Sequence, residues 1–83
     1  MTTREQLKEV LQTMPHVEEA SVIGTWKLIA TVVSEDFRGQ NEAERQKAVL
    51  SFLRERLGSD EVDNIEFIFA NTPEEQAAAL LAS

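Results

Sequence analysis

The stretch from Val32 to Gln46, VVSEDFRGQNEAERQ, most narrows what this chain can fold into. A β-branched run stops at Ser34, a short acidic turn carries Phe37 and Gly39, and a polar segment opens the longest helix-like pattern of the chain. The order is strand, loop, helix start. Asn41 with Glu44 three positions later forms a capping box, in which the Asn side chain accepts from a free amide and the Glu side chain reaches back to the cap. Gly39 permits the turn, and Phe37 is the bulky apolar residue available to pin that loop to a core. These residues place structure and carry no chemistry of their own.

The segments on either side complete an α-β-β-α-β-α order. Thr2 or Thr3 caps a first helix whose apolar residues Leu7, Val10, Leu11 and Met14 recur at helical spacing, and Pro15 ends it. Val17 to Ile23 and Trp26 to Ser34 read as strands joined by a two-residue turn at Gly24 and Thr25. Trp26, Leu28, Ala30 and Val32 share one face of the second strand, and Lys27, Ile29, Thr31 and Val33 share the other. The helix from about Asn41 to Leu57 buries Val49, Leu50, Leu53 and Leu57, shows Arg45 to solvent, and stops at Gly58. Ile65, Phe67 and Phe69 alternate with Glu66, Ile68 and Ala70 in the third strand. Thr72, Pro73, Glu74 and Glu75 then open a last helix.

A strand-helix-strand crossover is right-handed, so the third strand is expected parallel to the second, in an α+β fold with a three-stranded mixed sheet and helices packed on one face. The expected core includes Leu11, Leu28, Val32, Val49, Leu53, Ile65 and Phe67. Trp26 is read as a ring closing the open end of that core, with an exposed contact residue as the alternative.

Composition then limits function. At 83 residues the chain is expected to be one domain near the size at which a single core is marginal. It has no cysteine, so disulfides, thiolate metal sites and cysteine nucleophiles are excluded. His16 is the one histidine and is read as solvated in the turn after the first helix. No apolar run approaches the about 18 residues of a membrane span, and no basic, apolar leader is apparent, so a cytoplasmic location is expected. A net charge of −7 opposes phosphate backbones and disfavours a nucleic-acid role. No carboxylate pair comes with a nucleophile or a metal-ligand set, so no catalytic, cofactor-binding or metal-ligating residue is assigned, and the chain is read as non-enzymatic.

The combination of Val32, Val33, Ser34, Phe37 and Gly39 with Arg45, Val49, Leu53, Ile65 and the closing Thr72-Pro73-Glu74-Glu75 resembles the BolA-like family. The resemblance covers about Lys27 to Gln76 and implies a class II KH-like fold. It also implies a small adaptor in iron–sulfur homeostasis and stress response that partners a monothiol glutaredoxin and shares an iron–sulfur cluster with it. In the family the ligands are a histidine at the start of the third strand and a histidine or cysteine in the hairpin loop. Here the corresponding residues are Glu66 and the Gly24-Thr25 turn, so the conventional ligands are absent while the scaffold is kept. The C-terminal subdomain of adenylate-forming ligases shares the element order and phrases such as FLRERL, but its functional lysine has no counterpart beyond Lys47.

The resulting expectation is a BolA-like adaptor acting by protein contact, with no cofactor of its own. Its partner-facing region is placed at Glu66 with the outward residues Arg45 and Gln46, and Trp26 is the next candidate. The other function class is a KH-like nucleic-acid-binding or transcription-regulating module, for which the chain lacks both a Gly-x-x-Gly loop and a basic patch. Neither partner identity nor oligomeric state follows from the sequence.

Overall fold

The element order expected from periodicity is the order observed. In a computed structural model, which describes residues 2–82, the chain runs α1 (Arg4–Gln12), β1 (Val17–Ile23), β2 (Leu28–Ser34), α2 (Glu42–Leu57), β3 (Ile65–Asn71) and α3 (Pro73–Ala82). Short 3-10 turns at Glu35–Phe37 and Ser59–Val62 flank α2. The strands form one sheet in the order β1-β2-β3, with β1 antiparallel and β3 parallel to β2.

Each helix starts on a reciprocal cap. Thr3 and Gln6 cap α1, Asn41 and Glu44 cap α2, and at α3 the Thr72 hydroxyl accepts from the Glu75 amide while Glu75 accepts from the Thr72 amide. Two amides left free by helix geometry are satisfied in each case. Gly58, at φ +94°, ends α2 where the sequence places its stop.

Leu7 and Leu11 of α1 and Val49 and Leu53 of α2 are buried against Leu28, Ala30, Val32, Ile68 and Ala70 of the sheet. Phe37 is buried with them and anchors the β2–α2 loop, as its position predicts.

Two expectations for the sheet are corrected. Phe67, expected in the core with Ile65, is 45% exposed, and Phe69 is 49% exposed. The reason is a register slip: Leu28 pairs with Ile65 but Ile29 pairs with Phe67, so Glu66 is an extra residue in β3. A bulge of this kind reverses the phase of the strand beyond it. Ile65 therefore packs on the core while Ile68 and Ala70, not the two phenylalanines, continue the buried face. β1 carries a second slip between Val17 and Glu19, where Glu18 is the extra residue.

The hairpin is also longer than expected. β1 ends at Ile23 and β2 begins at Leu28, so residues 24–27 connect them and Trp26 precedes the strand. Asn64 holds this loop open: its carbonyl accepts from the Leu28 amide at 2.8 Å, and its Nδ2 donates to the Trp26 carbonyl at 3.4 Å and the Thr2 carbonyl at 2.9 Å. Arg4 Nη1 donates to the Gly24 carbonyl at 3.2 Å from the other side.

Candidate partner-binding surface

The two residues expected to face a partner from α2 both make hydrogen bonds within the fold. Arg45 is only 9% exposed, which corrects its placement on the outer face of the helix. Its Nε donates to the Gln40 carbonyl at 3.0 Å, its Nη1 donates to the Ala70 carbonyl at 3.0 Å, and its two terminal nitrogens meet Glu75 at 2.6 and 3.3 Å. The guanidinium carbon lies 6.0 Å from the centre of the Phe37 ring. One planar fork thus joins α2, the loop before it, β3 and α3, a geometry that an ammonium group cannot reproduce.

Gln46 is half-buried, and its Nε2 donates to the Ile68 carbonyl and to Glu42 Oε1. β3 is an outer strand, and Arg45 and Gln46 occupy two of its carbonyls two residues apart. Outer strands that leave such groups free invite pairing with another chain, so this coverage blunts β3 as a template. The sequence offers no sign of it, because both residues sit between the apolar positions of a helix and read as solvated.

Glu75 carries the other half of the junction. The Arg45 guanidinium, and then the hydrogen bond from the Thr72 amide, hold its carboxyl down at about 2. Nearby, Arg38 bridges Glu35 at 2.8 and 3.0 Å and Glu74 at 3.4 Å, lowering the Glu35 carboxyl chiefly through the hydrogen bond.

Trp26 and Glu66 both lie toward the hairpin end of the sheet, Trp26 two residues before Leu28 and Glu66 one residue after Ile65, the partner of Leu28. Trp26 is 67% exposed, so the ring does not close the core and the alternative reading as a surface residue is the observed one. It stands over a shallow apolar hollow lined by Lys27, Asp63 and Asn64, directly beside the start of β3. Glu66, the bulged residue, is exposed at the same end.

The same end carries a feature that strand alternation does not make legible. The register aligns Ile23, Ile29 and Phe67 across the three strands, on the face that α1 and α2 leave uncovered. Ile23 is 63% exposed, and Phe69 extends the patch from β3, its ring centre 4.7 Å from that of Phe67 in an edge-to-face pair. The available signal was the apolar character of both faces of β2 and β3, which exceeds what helices on one side can bury.

His16 lies away from this end, in the turn between α1 and β1 at φ +65°, with Nδ1 2.8 Å from Asp36 Oδ2. Among the described residues, no three His, Cys, Asp or Glu side chains converge as a metal site. An iron–sulfur cluster needs thiolate or imidazole donors, and this chain offers no cysteine and one histidine distant from Glu66. The residues present therefore do not fit such a group. No helix among the described residues is long and apolar enough to cross a membrane.

No protein-family model matches the sequence, and no curated protein matches it. Solved structures do. A BolA protein homologue from Coxiella burnetii superposes with a TM-score of 0.68 at 25% identity, covering 93% of this chain and 99% of its own. BolA1 from Arabidopsis thaliana gives 0.67 at 22% identity over 90% and 96% of the two chains. The BolA domain of SufE1 from the same plant gives 0.66 at 20% identity over 87% and 93%. The chain has the BolA-like fold.

Proposed function

We propose that this protein is a non-enzymatic BolA-like adaptor that works by protein contact at the hairpin end of its sheet, with a monothiol glutaredoxin as the first partner to test. The observation that carries the reading is the exposed Trp26 at the end of the sheet that also carries Glu66 and the apolar row Ile23, Ile29 and Phe67, with no converging metal-ligating set among the described residues. A large ring with an adjacent apolar patch is the usual make-up of a contact centre. Among the solved structures, a BolA domain also occurs as part of SufE1, in keeping with a module that serves by association. Because the chain lacks the donor set for a cluster, any metal in such a complex would rely on the partner's ligands.

Trp26 is the only tryptophan, so its emission reports the contact directly. Titration with a monothiol glutaredoxin is expected to shift that emission to shorter wavelength as the ring leaves water. Glu66→Lys is expected to weaken binding with little change in thermal stability, since a rim charge acts on association more than on folding. Absence of binding, or binding that leaves both Trp26 emission and the Glu66→Lys affinity unchanged, would refute the assignment. The nucleic-acid alternative predicts retention on a nucleic-acid column that weakens steeply with salt.

A further inference from the structure

The three strands contain Glu18, Glu19 and Glu66 and no lysine or arginine. On the uncovered face the register sets three successive rows: Ile23, Ile29 and Phe67 at the hairpin end, then Ser21, Thr31 and Phe69, then Glu19, Val33 and Asn71. Beside the last row α3 packs against β2 and β3, and a groove there is lined in part by Glu18, Glu19, Val33, Ala77 and Leu80. Val33 is its buried floor, and Leu80 is an exposed wall. The exposed carboxylates of Glu18 and Glu19 have no ion-pair partner among the described residues. The surface thus grades from apolar to acidic over roughly 13 Å, four residues at about 3.3 Å each.

The geometry points to a docking site for a segment of a partner protein that carries apolar side chains at one end and lysine or arginine at the other. This rests on the reading of the chain as a contact adaptor and adds the chemistry of what it contacts. The apolar end covers Phe67, Phe69, Ile23 and Ile29. The basic end enters the α3 groove, where the aliphatic stem of a lysine or arginine lies along Val33, Ala77 and Leu80 and its charge meets Glu18 and Glu19. A second copy of this chain fits poorly, because it would set glutamates against glutamates or against phenylalanines on two bodies each of net charge −7. Coverage of the β3 carbonyls by Arg45 and Gln46 directs a partner to the face of the sheet instead of that edge.

The probe is a short synthetic peptide with leucine and valine in its first half and lysine in its second, with a counterpart carrying glutamate for lysine. Both are titrated against the parent protein, Glu18→Gln/Glu19→Gln, Phe67→Ala/Phe69→Ala, and the control Glu9→Gln/Glu55→Gln, which changes net charge equally on exposed helix positions. The lysine peptide is expected to bind the parent at least about tenfold tighter than its counterpart, and each sheet-face pair to weaken it by about tenfold against less than about twofold for the control. Amide shifts in the parent are expected on Ile23, Ile29, Phe67, Phe69 and the start of α3, and thermal melts show which variants remain folded. Equal loss in the control pair means attraction by net charge alone and overturns the proposal. Shifts elsewhere overturn it too, as does a concentration-dependent dimer that buries the face and excludes the peptide. Glutaredoxin binding read from Trp26 is independent: if it persists while the peptide fails, only this docking site falls, and if the peptide binds the face while glutaredoxin does not, only that partner falls.

Discussion

Arg45 Nη1 donates to the carbonyl of Ala70 at 3.0 Å, so a helix side chain closes a gap on the outer strand of the sheet. The same guanidinium also holds the Gln40 carbonyl and the Glu75 carboxylate. Arg45→Met keeps the stem and removes every donor, leaving nearly buried oxygens without partners at a cost of about 1–3 kcal/mol. Denaturant unfolding is the measurement. Arg45→Lys is expected to recover less than half of the loss, because an ammonium cannot span these acceptors; full recovery would show that charge alone matters.

Glu75 makes the junction sensitive to acid. Its carboxyl is held at about 2, below the ordinary 4.5, first by Arg45. A lowered carboxyl contributes stability that is complete above the unfolded value and disappears as pH falls through the folded one. The melting-temperature gap between the parent and Glu75→Gln is therefore expected to be widest near neutral pH and to close between 4.5 and about 2. A gap independent of pH would mean that the ionised form contributes nothing.

Leu53 is fully buried in the centre of α2. Leu53→Ala removes packing against the sheet and leaves a cavity, for an expected loss of about 2–5 kcal/mol in chemical denaturation. A loss below about 0.5 kcal/mol would be incompatible with that helix face lying on the core.

Gly24 sits at φ +105°, and a Cβ there would lie 2.2 Å from the Lys27 carbonyl oxygen. Because backbone has to move to relieve the clash, Gly24→Ala is expected to destabilise by about 1–3 kcal/mol. The altered loop should also change Trp26 emission in the free protein. Gly39→Ala is the comparison: it shares a positive φ but meets no atom within 4 Å, so its effect is expected to be the smaller of the two.

Without cysteine, and with His16 alone, the protein by itself is expected to assemble no iron–sulfur cluster. Reconstitution with iron and sulfide, without a thiol-bearing partner, should leave the visible spectrum blank after desalting. A stoichiometric charge-transfer band that stays with the protein would contradict this expectation.

The parts legible in the sequence were those written in local chemistry. Thr3, Asn41 and Thr72 each announce a helix with an acid or amide three residues on, and all three caps form. Leu7, Leu11, Val49 and Leu53 fall at helical spacing and are buried, and Phe37 pins its loop. The candidate site is less legible: Trp26 reads as closing the core at the start of β2 but stands exposed before that strand, and Phe67 reads as core but lies outside it. Alternation alone cannot say which face of a strand is inside when both are apolar.

What the sequence by itself determined is the order of elements, their starts and stops, and the absence of thiolate chemistry, because caps, periods and residue types act over a few residues. What only the tertiary structure decided is which apolar surface the helices leave uncovered. The extra residue at Glu66 turns Phe67 and Phe69 to the uncovered face, and Arg45 and Gln46 turn inward to β3, 25 and 22 residues away from their acceptors Ala70 and Ile68. Both outcomes depend on how a strand registers against its neighbour and how a helix lies on the sheet, and those choices are fixed by packing between distant segments that no local pattern encodes.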